Sequence, residues 1–411
     1  MSLRFSSLVA CAAWLGGSVI AEEQQHFFKG NTHAHSLWSD GNDFPEMVVD
    51  YYHRNDYDFA VVSDHNVLSR GHRWMSLQEI TARQVGVGPG AIEKAEARFG
   101  PYWIQWEEVS GKRGIVLKTL ESFRGEFENP GEFLIIEAQE ISDRSTAGPV
   151  HINAINLENL IPYQNEPIES TVEVMRRVLQ AVAAQEAAIG RPILAHLNHP
   201  NYRWGVTAED LAEVIEEQFF EVYNGHPNIN HLGDETRPGD ERIWDIANTI
   251  RISKLNAEPL FGIATDDSHR YHGGDVSPGR GWIQVEAEEL TANSLIEAMR
   301  AGDFYASSGV ELRRISYDAE TRVLEFEIIA DEDERFISEL IGTRDSYDRA
   351  SASDAPGIGE VFAWSGEQKV RFVVPDDALY ARVTITSTAA HPNPSFEYQR
   401  QQAWLQPVGW R

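Results

Sequence analysis

From about residue 27 to 308, short apolar runs alternate with longer stretches in which apolar residues recur every three or four positions. The runs at 27–32, 59–63, 133–137, 152–155, 193–195, 219–222, 260–264 and 281–285 have the length and content of buried strands. Between them, 45–54, 170–189, 208–217, 241–255 and 292–301 carry the helical period. Buried strands alternating with helices predict an α/β fold whose parallel sheet has enough units to close into a TIM-like β/α barrel, here over residues 22–309. The stretch 72–130, rich in Trp, Glu and Lys, interrupts the alternation and predicts an insertion made of a helix and a hairpin over the barrel mouth. After Gly309 the period becomes two, at 311–317, 323–329, 369–374 and 380–387. Gly, Pro and Asp separate these runs, which predicts a small β-sandwich-like domain over 310–411.

The amino terminus changes this picture in one respect. Arg4 precedes an uncharged apolar run at 8–20, and Val19-Ile20-Ala21 then leads into polar Glu22-Glu23-Gln24. This predicts a Sec signal peptide over 1–21 and a periplasmic or secreted mature protein. The run is shorter than the roughly 20 residues a membrane span needs, so no integral span is expected. Leu8-Val9-Ala10-Cys11 also matches a lipobox. Few apolar residues precede it and the run continues past it, so a lipoprotein is the second choice. Cys11 is the only cysteine, and cleavage after Ala21 leaves no disulfide, no thiolate nucleophile and no thiolate metal ligand.

With 64 acidic and 35 basic residues, the formal net charge is −29. That argues against a nucleic-acid groove, which needs clustered Lys and Arg, and against a polybasic membrane patch. An anionic small-molecule substrate would need a local positive field. Oligomeric state is left open by these features.

The strand ends supply candidates for that field. Thr32-His33-Ala34-His35-Ser36 closes the first run, and an H-x-H pair on extended backbone points both imidazoles to one side. Asp40 follows. The second run ends in Asp64-His65, the third in Gln139-Glu140 with His151 beyond a short loop, another in His196-Leu197-Asn198-His199-Pro200, and another in Asp266-Asp267-Ser268-His269. Carboxylates and imidazoles at the carboxyl ends of several strands are the active-site arrangement of barrel enzymes. Without thiolates the set suits zinc, manganese or iron, and nine ligands exceed the needs of one ion.

These motifs resemble those of the polymerase and histidinol phosphatase (PHP) superfamily of metal-dependent hydrolases over about residues 26–308. Thr265-Asp-Asp-Ser-His269, followed by Gly302-Asp-Phe-Tyr-Ala-Ser-Ser-Gly309 and a β-rich tail, is similar to the branch that includes carbaryl-hydrolase-type enzymes. The resemblance implies a distorted seven-stranded β/α barrel with two or three divalent ions. One ion would take His33, His35, Glu140 and Asp267. A second would share Glu140 and add His151 and His199, the latter preferred over His196 because it precedes proline. A third would use Asp40, His65 and His269, with Asp40 standing where many members have His.

A metal-bridged hydroxide would then attack phosphorus or a carbonyl carbon. Asp64, His72 and His226 are candidates to protonate the leaving group, and Arg70, with Arg73, to clamp a phosphate. Asp64, Asp266 and Asn198 also read as groups that orient ligands. Trp74, Trp103, Trp106 and Trp204 are candidate pocket walls. The expected function is an exported phosphoesterase. An ester, amide or carbamate hydrolase, or a non-catalytic metal or carbohydrate-binding protein, are the alternatives.

Overall fold

The computed structural model of the chain describes residues 25–84, 86, 88–164, 166–349 and 355–410. The expected signal peptide, with Cys11, lies outside them. Strand β1 (Phe28–Asn31) leads through helix Pro45–Arg54 to β2 (Phe59–Val62), which pairs with β1 in parallel. The insertion contains three α-helices, Leu77–Arg83, Ala91–Phe99 and the short Leu120–Phe123, rather than one. It also contains a three-stranded sheet of β3 (Trp74–Ser76), β4 (Trp106–Val109) and β5 (Lys112–Val116) rather than a hairpin. Ser76 and Glu79 cap the first helix reciprocally, which fixes a helix start directly behind β3.

The strands β6 (Leu134–Arg144), β7 (Pro149–Ile155), β8 (Leu194–Leu197), β9 (Phe219–Asn224), β10 (Phe261–Thr265), β11 (Trp282–Val285) and β12 (Phe304–Ser307) continue the main sheet. The expectation of a purely parallel sheet is corrected. β2 and β6 are parallel, as are β8, β9 and β10, but β7 runs antiparallel to both β6 and β8, and β11 antiparallel to β1 and β12. The reason is local. β6 extends to Arg144 and turns back at once, with Ser145 Oγ accepting from Ala147 N at 3.1 Å. So short a turn leaves no room for the crossover helix that parallel neighbours require.

The tail contributes β13 (Glu311–Asp318), β14 (Val323–Ile329), β15 (Phe336–Arg344), β16 (Glu360–Ser365), β17 (Lys369–Val373), β18 (Ala378–Ala390) and β19 (Arg400–Val408). β13, β14 and β17 form a separate three-stranded sheet. The other four strands join the barrel sheet through β12 and β19, giving thirteen strands in the order β10-β9-β8-β7-β6-β2-β1-β11-β12-β19-β18-β15-β16. No backbone ladder among the described residues closes this sheet into a seven-stranded barrel. A side chain spans the edge instead: Gln406 on β19 donates from Nε2 to Gly262 O on β10 and accepts at Oε1 from Gly262 N, both at 2.9 Å.

Phe59, Phe219, Ile263 and Ile283, none more than 1% exposed, belong to one apolar cluster within the sheet. The Phe59 ring covers Gly30 so closely that a Cβ there would lie 2.1 Å from it, so β1 needs glycine at that point. The floor is thus apolar at the amino ends of the strands, and the polar residues gather at the carboxyl ends. No helix of the described residues is long and apolar enough to cross a membrane.

Candidate metal centre

His33 and His35 prolong β1 beyond its ladder. Their backbone stays extended because the loop after β10 runs beside it: His35 N donates to Ser268 O at 2.9 Å and Asp267 N to His33 O at 3.0 Å. The H-x-H alternation then brings the two Nε2 atoms to 3.1 Å. Asp267 Oδ1 stands 3.1 Å from His35 Nε2 and 3.3 Å from His33 Nε2. Glu140 Oε2 stands 3.3 and 3.5 Å from the same atoms. Atoms that share one ion at about 2.0–2.2 Å are held about 3.0–3.5 Å apart, which is this spacing.

Glu140 is the hub. It is fully buried, and its Oε2 accepts no well-formed hydrogen bond although His65 Nδ1 is 2.6 Å away. Its Oε1 contacts His151 Nδ1 at 2.9 Å, Asn198 Nδ2 at 2.9 Å and His199 Nε2 at 3.5 Å. Towards the surface, Asp40 faces His269 Nε2 at 3.3 Å and His65 Nε2 at 3.6 Å. Three groupings have metal-ligand spacing: His33, His35 and Glu140; His65, Glu140 and His151; and His35, Asp40, His65 and His269. All nine residues proposed as ligands from the sequence therefore converge. A buried carboxylate oxygen that imidazole nitrogens surround without hydrogen-bonding well, among nitrogen and oxygen donors only, fits divalent cations.

The electrostatics follow from this crowding. Burial alone would raise the Glu140 pKa, but His65, His151 and His33 hold it well below the carboxylate range. Burial would lower His33, yet Asp267, Glu221 and Glu140 keep it well above its ordinary value. Asp267 and Glu140 stand at least as close to His35, but burial, with neighbouring His269 and His65, outweighs them and pushes it down to about 3.

Asp64, Asp266 and Asn198 hold the loops. Asp64 accepts from Ser36 N at 2.8 Å and from the Ser36 and Ser39 hydroxyls at 2.6 Å each, fastening the turn that carries Asp40. It is 1% exposed and is not among the residues that line the cleft. Asp266 accepts from Gly279 N, Arg280 N and Gly281 N at 2.9, 2.6 and 3.0 Å. Asp267 and His199 have φ of +46° and +26°, strained values for non-glycine residues that persist where surrounding bonds enforce them.

The centre opens into a cleft of about 340 Å³, walled by His65, His151, His199, Asp267 and His269, with Asp40 and His226 among its lining. The other expected groups lie elsewhere. His72, just before β3, is exposed and pairs with Glu107 on β4 at 2.9 Å. Arg70 is held by Glu137 at 2.9 Å and by Glu158 O at 2.6 Å. Neither lines the cleft, nor do Trp74, Trp103, Trp106 and Trp204. His196 is buried, with Glu221 Oε1 3.9 Å away as its charged neighbour.

Several cleft and site residues were not marked by the sequence reading. Arg83, from the insertion, lines the cleft and donates to Gly41 O at 3.3 Å and to Ser39 O, bracketing Asp40. Arg270 and Tyr202 also line it. Glu221, on β9, contacts His33 Nδ1 at 2.7 Å, and Asn224 reaches Asp267 Oδ2 at 3.1 Å. Glu221 did carry a signal: it is the one charge in Phe219–Asn224, an otherwise apolar strand start, and such a charge is rarely buried without a partner.

No protein-family model and no curated protein matches the chain. Among solved structures it is similar to a two-domain protein from Bacteroides vulgatus containing a predicted PHP-like metal-dependent phosphoesterase. That likeness has 16% identity and a TM-score of 0.41, and covers 95% of this chain and 100% of the other. It is also similar to a provisionally assigned metal-dependent phosphoesterase from Bifidobacterium adolescentis, at 11% identity and a TM-score of 0.33 over 66% of this chain and 95% of the other.

Proposed function

We propose that the protein is a metal-dependent hydrolase acting on phosphoesters. The observation that carries this reading is the clustering of His33, His35, Asp40, His65, Glu140, His151 and His269 at the spacing of ion ligands, with Asp267 3.1 Å from His35 and His199 3.5 Å from Glu140, beneath and along one cleft. The PHP-like motifs that these residues form support it. Divalent ions bound there would supply a hydroxide nucleophile near neutral pH and stabilise developing negative charge.

The chain's own residues have separable tasks. His33, His35, Glu140 and Asp267 would hold the deepest ion, with His65, His151 and His199 around Glu140 and with Asp40 and His269 towards solvent. Arg83, bonded to the Ser39 and Gly41 carbonyls, puts a guanidinium in the cleft lining of a chain of net charge −29, which suits an anionic substrate, whereas Arg270 is paired with Asp275. His226 accepts from Asn228 N at its Nδ1 (3.1 Å), so a neutral ring carries its proton on Nε2. Burial pushes its pKa down to about 4. It is therefore neutral at pH 7 and serves as an N–H donor to a substrate oxygen, not as a cationic acid.

The test is to load the full chain with zinc or manganese, count ions by elemental analysis, and assay p-nitrophenyl phosphate, bis-p-nitrophenyl phosphate, and 1-naphthyl acetate and carbamate. At least two ions per chain and turnover of a phosphoester are expected. Glu140→Ala should lose bound metal and at least about a thousandfold in kcat/KM, since it serves more than one ion. His72→Ala should stay within about twofold, because it lies outside the cleft. Turnover of the carboxylic ester or carbamate alone would redirect the substrate class. Less than one ion per chain would overturn the reading.

A further inference from the structure

We propose that Glu221 is the positioning residue that makes His33 a metal ligand and ties it to two other candidate ligands. The inference rests on the metal-centre reading above. Glu221 is fully buried, and four donors aim at its two oxygens. On Oε1 these are His33 Nδ1 at 2.7 Å and Thr265 Oγ1 at 2.8 Å. On Oε2 they are His199 N at 2.8 Å and Asn224 Nδ2 at 2.7 Å. Two N–H donors occupy Oε2, so a carboxyl proton could sit only on Oε1 facing His33 Nδ1, and between a carboxylate and an imidazole the proton goes to the more basic nitrogen, which leaves the group as the anion.

An ionised carboxylate only accepts. His33 must therefore keep its proton on Nδ1, so that when an ion displaces the Nε2 proton the Nε2 lone pair is the one directed at His35, Glu140 and Asp267. A carboxylate behind a ligating imidazole in this way fixes ring orientation and raises ligand basicity. His35 has no carboxylate this close behind it: its Nδ1 has Ser39 Oγ at 3.4 Å, and the Asp40 carboxylate stands farther off, at 3.8 Å.

The same carboxylate acts on two further ligands. Its bond from His199 N falls on a residue with φ of +26°, and so helps to enforce the backbone that presents the His199 ring. Asn224 donates both to Glu221 and to Asp267 Oδ2, the latter at 3.1 Å. One side chain on β9 thus connects His33 after β1, His199 after β8 and Asp267 after β10.

Glu221→Gln keeps the volume and breaks the logic. Its amide can offer oxygen to His33 or to His199 N, but its NH₂ then faces a donor, or forces the His33 proton onto Nε2. Zinc and manganese titrations of the full-length wild type and variant by calorimetry should show affinity for the tightest ion falling about 10- to 100-fold. Nitrogen NMR of the zinc-loaded wild type should show His33 protonated at Nδ1 and coordinated through Nε2, a readout independent of whether the variant folds. Unchanged affinity in Glu221→Gln, or His33 coordinated through Nδ1, overturns the inference while leaving the metal centre intact. If the wild type takes up neither ion, the metal-centre reading fails and this inference falls with it.

Discussion

Two buried glutamates show how environment decides what a carboxylate does. Glu140 is ringed by imidazoles, which hold it ionised and make it a ligand hub. Glu217, just before β9, is 1% exposed and accepts N–H bonds from Gln218 and Phe219 on Oε1, at 3.1 and 3.2 Å, while Oε2 has no partner. Burial pushes its pKa up to about 8. Below the ordinary value of 4.5 both folded and unfolded chains carry the proton, and the residue costs nothing. Between that value and about 8 the unfolded chain ionises first, so stability is lost as pH rises. Glu217→Gln keeps the oxygen acceptor and removes the titration. It should be neutral for stability at pH 4 and stabilising at pH 8 by on the order of 3 kcal/mol, read from urea unfolding. An equal effect at both pH values would show that Glu217 is ionised in the folded chain.

Helix Asp240–Leu255 packs against the sheet that the tail extends, and Arg382 seals the contact by pairing with Asp245 and, at 3.3 Å, with Glu241. Arg382 on β18 donates from Nε and Nη2 to the two oxygens of Asp245, both at 2.8 Å, and Tyr380 OH adds a third bond at 2.9 Å. Arg382 and Asp245 are 1% and 4% exposed. Breaking such a pair strands a buried charge, whereas replacing both partners by apolar groups does not. Arg382→Met should therefore cost about 3–5 kcal/mol. The double variant Arg382→Met with Asp245→Leu should cost less than Arg382→Met alone. Strictly additive losses in a double-mutant cycle would mean that the two groups do not depend on each other.

Across the molecule, the tail strands continue the main sheet of the α/β part. β19 pairs with β12, and Tyr305, Leu405 and Val383 share one apolar core. The tail also props the site from behind. His391 Nε2 contacts Arg280 O at 3.1 Å, and Asn393 Oδ1 accepts from Arg280 Nη2 at 3.1 Å. Arg280 N is one of the donors that Asp266 uses to shape the loop beside Asp267. All candidate ligands still lie before residue 270. A chain ending at Gly309 should keep the ability to bind metal if it stays soluble, but should melt at least about 10 °C lower because the β12 edge and shared core are exposed. Scanning calorimetry decides this, and an unchanged melting temperature would make the barrel autonomous.

Most of the metal-ligand candidates were legible along the chain because they lie at or just past the end of an apolar run, with Asp40 and His151 in the segments beside those ends, and strand patterning is local. The H-x-H geometry follows from the two-residue alternation of extended backbone alone. Within 196–199, the choice of His199 over His196 rested on Pro200, and the structure puts the His199 Nε2 3.5 Å from Glu140. Other features had no local signature. The direction of β7 depends on which strand it pairs with, and apolar patterning is blind to strand direction. The merging of tail and barrel rests on β19, whose Arg-Gln-Gln start hides it from a hydrophobic pattern. Glu221 could be seen as an unusual charge in a strand, but its meaning comes from four donors between residues 33 and 265. Patterning along the chain specifies which elements form and which residues they carry to their ends. Pairing partners, and the donors that surround a buried charge, are set by contacts between distant segments, and only the folded chain brings those together.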